Sequence, residues 1–267
     1  MTNMTAKKSI LVPTDFTEVA WFALQHAIRV SEVVKEPIHI LHCVPEPEKL
    51  AEVENRMAEL IDSVRSKYAV TPKSIVKVGN YMTDIASTAD EINASMVIMG
   101  SSTVKEMDEH KVSWVLKLIT GCKVPFITIQ EPPVNKRYDD IVFPVDFTLE
   151  NREKHEWISY FSDYYLSRFH IIKPNTSDPR QMAQIDINLA SAKRFLDERG
   201  AKYVEYTVPG IKKYEEEVLD MAVNIRADLI IIMTTPTDKE GKFIVEPEEQ
   251  YILANARHIP VMSINPR

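Results

Sequence analysis

Asp15 follows an apolar run that closes on a proline, in ILVPTDFT at 10–17, and Asp146 holds the same place in IVFPVDFT at 141–148. A carboxylate just beyond the end of a buried strand has two uses. It can accept hydrogen bonds from the ribose or base of a ligand, or it can cap the helix that follows. Thr17 and Thr148 are cap candidates too, and a threonine cap would free its aspartate. Gly100 closes another apolar run, in VIMGSS, with Ser101 after it. If these runs are neighbouring strands of an open parallel sheet, Asp15 and Gly100 face one crevice.

Other chemistries find less support. His39 and His42 are three apart on an expected strand, so they point to opposite faces and cannot share a metal. Cys43, beside His42, reads as a buried thiol rather than a ligand. His26, His110, His155 and His258 form no ligand spacing, and the chain has no GxSxG, HExxH or GxxxxGK[ST] motif. Ser101 and Ser102 follow a strand, but no histidine can be assigned as their base. Trp21, Trp114 and Trp157 fall on expected helices and read as packing residues.

The elements that must hold these residues occur twice. Pro13 and Pro144 are 131 residues apart, as are His39 and His170, and Gly79 and Gly210. INASMVIMG (92–100) matches IRADLIIIM (225–233), and VPFITI (124–129) matches IPVMSI (259–264). Two tandem domains are expected, over 1–131 and 138–267, with a seam in QEPPVNKRYDD where Pro132 and Pro133 block regular structure.

In the first copy, short apolar runs at 10–12, 38–44, 75–78, 96–99 and 126–129 predict strands buried on both faces. Helix spacing fills the gaps: Leu50, Val53, Met57, Leu60 and Val64 share one face. In the second copy Ile185, Leu189, Ala192 and Leu196 do the same, and strands are expected at 203–208, 229–233 and 261–264. Alternating strands and helices predict an α/β fold, a parallel sheet covered on both faces.

The totals set limits. The chain has 267 residues, 45% of them hydrophobic, enough for real cores. With 32 Lys+Arg against 39 Asp+Glu the net charge is −7, a poor composition for binding nucleic acid. No membrane-length apolar stretch exists, and Ile10–Val12 is too short for a signal peptide. Two cysteines, Cys43 and Cys122, lie in unrelated contexts and read as reduced thiols of a cytoplasmic protein.

The Pro-x-Asp turn, the strand HILHCVP, the glycine before a helix in VKVGN, and VIMGSS followed by a helix and VPFITI together resemble the universal stress protein family. The resemblance spans both copies, as in tandem members. It implies, in each copy, an open five-stranded parallel sheet of order 3-2-1-4-5, the adenine-nucleotide alpha hydrolase-like arrangement. It also implies pairing of the two domains through their fifth strands. Some members bind ATP through G-x-x-G-x9-G-[ST] after strand four, where glycines let backbone N–H groups approach phosphates.

Here the first copy keeps Gly100, has Thr103 for the second glycine, and has Val112-Ser113 at the final Gly-Ser, one residue short of the spacing. Lys111 could supply charge, while Glu106, Asp108 and Glu109 oppose it. The second copy has Met233 in place of Gly100 and Glu248 in place of Ser113, with Glu246 and Glu249 beside it. Those carboxylates would repel a triphosphate. Phe243, Ile244 and Val245 form an apolar tip there, expected to fold back on its own core, or else to pack on the first copy or on a partner.

Two functions follow. In one, the first copy alone binds ATP or another adenine nucleotide weakly, with or without Mg²⁺, as a stress-response module. The resemblance then places the ligand among Pro13, Thr14, Asp15, Cys43, Val44, Gly100, Ser101 and Ser113. Asp15 would hold the adenosine end, Gly100 would admit a phosphate, and Ser113 would bond a phosphate oxygen. In the other, nucleotide binding is lost and the chain is a scaffold for an unidentified protein client, alone or as a homodimer. No general base or metal clamp is visible, so any ATPase activity would be weak.

Overall fold

The computed structural model describes residues 8–101, 109–147, 154–236, 243–255 and 257–265. The chain divides into two compact units, Met1–Val134 and Asn135–Arg267. Thr103, Thr148 and the first half of the EMDEHK stretch, residues 106–108, lie outside the described residues, as do the side chains of Glu109, His110, Lys111, Ser113, Trp114 and Phe243.

In the first unit, β1 (Ser9–Pro13), β2 (Ile38–Val44), β3 (Lys73–Val78), β4 (Ala94–Gly100) and β5 (Phe126–Ile129) form the order β3-β2-β1-β4-β5. Every pairing among them is parallel. The helices are α1 (Glu18–Val34), α2 (Leu50–Lys67), α3 (Tyr81–Glu91) and α4 (Glu109–Gly121). β1 is buried at all five positions, as a central strand with helices on both faces must be. On α2, Val53, Met57 and Val64 face inward and the charged positions face water.

Chain ends of α1 are set by local chemistry. Thr17 caps its start, its hydroxyl oxygen accepting from the Ala20 N–H at 3.3 Å. Lys35 closes it in the left-handed region at φ 61°, donating its N–H to Ser31 O. The same helix holds the expected seam. His26 Nε2 donates to Glu131 O at 3.2 Å, and Arg29 Nη2 donates to Pro133 O at 2.8 Å.

The second unit repeats the order with β6 (Asp140–Pro144), β7 (Arg168–Lys173), β8 (Lys202–Thr207), β9 (Leu229–Met233) and, after a hairpin, β12 (Val261–Ile264). Its sheet reads β8-β7-β6-β9-β12, again all parallel. Its helices are α5 (His155–Tyr165), α6 (Pro179–Glu198), α7 (Tyr214–Ile225) and α8 (Pro247–Leu253). All four α6 residues read as one inward face are buried.

One element departs from the expected alternation. β10 (Thr235–Pro236) and β11 (Phe243–Ile244) form a short antiparallel pair beyond β9. The apolar tip therefore pairs within its own unit: Val245 is buried and Ile244 stays 40% exposed. Two-residue strands carry too little pattern to be seen in sequence.

Candidate functional site

In the first unit a cavity of about 500 Å³ opens beyond the C-terminal ends of β1 and β4. This is where strand order reverses, because β1 pairs with β2 on one side and β4 on the other. Pro13, Thr14 and Asp15 line it from the β1 end, and Gly100 and Ser101 from the β4 end. Thr17, Val19 and Ala20 contribute the first turn of α1, and Val115 comes from α4. Asn80, Tyr81, Met82 and Ile85 bring the start of α3 over the opening.

Five of the eight residues expected at a ligand thus share one cavity. Cys43 and Val44 do not line it. Both are buried within β2, and Val44 O accepts from the Gly79 N–H at 3.0 Å. Burial pushes the Cys43 thiol up to about 11, so it is an inert, protonated packing group. Ser113 lies in α4, among residues whose side chains are not described.

Asp15 is neither a free carboxylate nor the direct cap. Its Oδ1 accepts from the Thr17 N–H at 3.0 Å and from the Thr17 hydroxyl at 2.6 Å. Thr17 in turn caps α1. Asp15 is exposed at the mouth while it holds the capping residue in place.

Gly100 has a packing reason of its own. A Cβ there would stand 2.7 Å from the carbonyl carbon and oxygen of Val19, closer than real side chains come. The glycine lets the start of α1 settle on the end of β4. Close approach of backbone, the reason for a glycine at a phosphate, is here spent on the protein's own helix.

The turn after β1 is fixed by polar groups. Thr14 O accepts from His42 Nδ1 at 2.7 Å and from the Tyr81 hydroxyl at 3.2 Å. A carbonyl only accepts, so the proton of His42 sits on Nδ1. Burial pushes the Tyr81 phenol up to about 12, keeping it a donor. Phe16 stands at φ 63° with its ring 4.7 Å from that of His42, and Arg56 lies over its outer face at 4.2 Å. His39 is not part of this group, in keeping with its opposite facing, and no cluster of metal-ligand type occurs among the described residues.

The second unit is built differently at the matching place. Lys154, 2% exposed, donates its Nζ proton to Pro144 O at 2.7 Å. Pro144 is the counterpart of cavity-lining Pro13. Burial pulls the Lys154 ammonium down to about 8, against the attraction of Asp146 and Glu249. Glu249 is pushed up to about 7, first by burial and then by Asp146 and Glu246. Tyr214, which begins α7 as Tyr81 begins α3, donates to Ile172 O at 2.7 Å. Sequence reading missed Lys154 because its neighbours NRE and HE give it the look of a solvated helix start.

Residues 7–112 match the model of the Universal stress protein family. The matched stretch lies within the first unit, where the cavity is. No curated protein matches the chain.

Among solved structures, a universal stress protein from Archaeoglobus fulgidus is similar over 97% of both chains, at 17% identity and a TM-score of 0.72. A functionally unknown protein from Pseudomonas aeruginosa covers 98% of this chain and 93% of its own, at 18% identity and a TM-score of 0.63. At such identities the likeness is one of fold. It extends over nearly the whole chain, so the second unit shares in it.

Proposed function

We propose that the chain is a stress-response regulatory module whose first unit binds an adenine nucleotide weakly and whose second unit does not. The observation that carries this reading is the first unit's cavity, at the strand-order reversal and with Asp15 at its mouth. Its volume falls in the range of small-molecule sites, about 300–1,000 Å³. Apolar walls from Val19, Met82, Ile85 and Met99 suit a base, and Asp15 can accept from ribose hydroxyls or an exocyclic amine. Asp15 is the one charged side chain lining it among the described residues, which makes no cage for Mg²⁺.

Lys154 argues against nucleotide in the second unit, since an internal ammonium already takes the carbonyl at the end of β6. That unit fits the scaffold reading, acting through its surface toward a protein client or a second copy. Pairing of the two units through β5 and β12, and residence in the cytoplasm, belong to the same proposal. No helix among the described residues is long and apolar enough to cross a membrane.

The test is calorimetric titration of the full chain with AMP, ADP and ATP, with and without Mg²⁺. Binding should be lost in Asp15→Ala and kept in Asp146→Ala. Absence of heat and of any thermal shift at millimolar nucleotide would leave only the scaffold reading.

A further inference from the structure

We infer that the first unit's cavity selects for the nucleoside end of its ligand and against a phosphate chain, so that adenosine and its monophosphate are preferred to ATP. This rests on the nucleotide reading above and names the charge class of that ligand.

An anion in such a crevice is held by backbone N–H groups at helix starts. Among the described residues, several of those donors are engaged. At the entry to α1, the N–H of Phe16 goes to Thr14 Oγ1, that of Thr17 to Asp15 Oδ1, and that of Ala20 to Thr17 Oγ1. At the entry to α3, the Asn80 N–H goes to Asp84 Oδ2 at 2.6 Å and the Met82 N–H to Asn80 Oδ1 at 2.8 Å. At the end of β4, the Ser101 N–H goes to Ile129 O at 2.8 Å. The chain's own carboxylates, Asp15 and Asp84, thus serve the starts of α1 and α3, the two helix starts that line the cavity.

Charge points the same way. The one charged side chain lining the cavity among the described residues is a carboxylate. A triphosphate would add its charges beside Asp15, and each phosphate would raise the repulsion. A neutral nucleoside meets none of it, while the apolar walls and Asp15 still offer burial for a base and an acceptor for its hydrogens.

The experiment titrates the full chain, without Mg²⁺ and at fixed ionic strength, with adenosine, AMP, ADP and ATP. Affinity should fall along that series, with ATP weaker than adenosine by about tenfold or more. Asp15→Asn, which keeps an oxygen for Thr17 but drops the charge, should raise ATP affinity relative to adenosine several-fold. Added salt should narrow the gap in the wild type by screening it. ATP binding as tightly as adenosine, or more tightly, overturns the inference and leaves the nucleotide reading standing. Failure of all four to bind overturns both.

Discussion

A Cβ on Gly100 would lie 2.7 Å from the backbone of Val19, so the end of β4 and the first turn of α1 touch through the absence of a side chain. That contact fixes one wall of the cavity. Gly100→Ala must push backbone against backbone, which cannot relax as a flexible side chain would. We expect a loss of about 1–3 kcal/mol in chemical denaturation, the usual cost of overpacking. Unchanged stability would show that α1 can shift freely, and the packing reason for the glycine would fall.

Asp15 and Thr17 act together, and two substitutions separate their roles. Asp15→Ala removes the acceptor that orients the capping threonine, and should cost about 1 kcal/mol, as cap losses do. Asp15→Asn keeps an acceptor and should stay within about 0.5 kcal/mol of wild type. Equal losses in urea unfolding would mean that the charge of Asp15, not its hydrogen bonds to Thr17, supports the helix.

The sequence was most legible where pattern is dense. The continuous apolar runs of β1, β2, β4 and β5 and the single face of α6 appear where periodicity places them, because strands buried on both faces leave no room for polar residues. The Pro-x-Asp turn was legible as a strand end, yet the bond from Asp15 to Thr17 was not, since sequence offers two cap candidates and geometry combines them. The α3 residues over the cavity were missed for a topological reason. α3 follows the sheet-edge strand β3, and nothing local says that its start leans over the end of β1. Asn80, a good cap residue just after Gly79, was the available signal. Cys43 and Val44 are expected at the ligand because they end β2; both are buried there and do not line the cavity.

Lys154 should be worth more to the second unit than its charge suggests. Lys154→Met keeps the apolar stem but removes the donor to Pro144 O and the cation that attracts Asp146 and Glu249. A loss of about 1–3 kcal/mol is expected from the lost polar contacts. It should be larger at pH 8 than at pH 5, because Glu249 protonates in between. A variant as stable as wild type at both pH values would show the ammonium to be dispensable.

Two buried groups make the units respond to acid with opposite signs. Burial holds His26 down to about 4 from an ordinary value near 6.5, so the unfolded chain binds its proton first. The first unit should therefore lose stability as pH falls from 6.5 to 4, by up to about 3 kcal/mol. Glu249 is pushed up to about 7 from 4.5, so the folded second unit holds a proton that the unfolded chain has released. Its contribution is complete below pH 4.5 and is lost as pH rises through 7, by about 1 kcal/mol once partial exposure is discounted. Amide exchange read separately for peptides of each unit, at pH 5 and 7.5 after correction for intrinsic rates, measures both. Protection in β1 and α1 should rise with pH and flatten in His26→Gln. Protection around α8 should fall with pH and flatten in Glu249→Gln. Parallel responses in the two units, or slopes untouched by these variants, would assign the acid sensitivity to other groups.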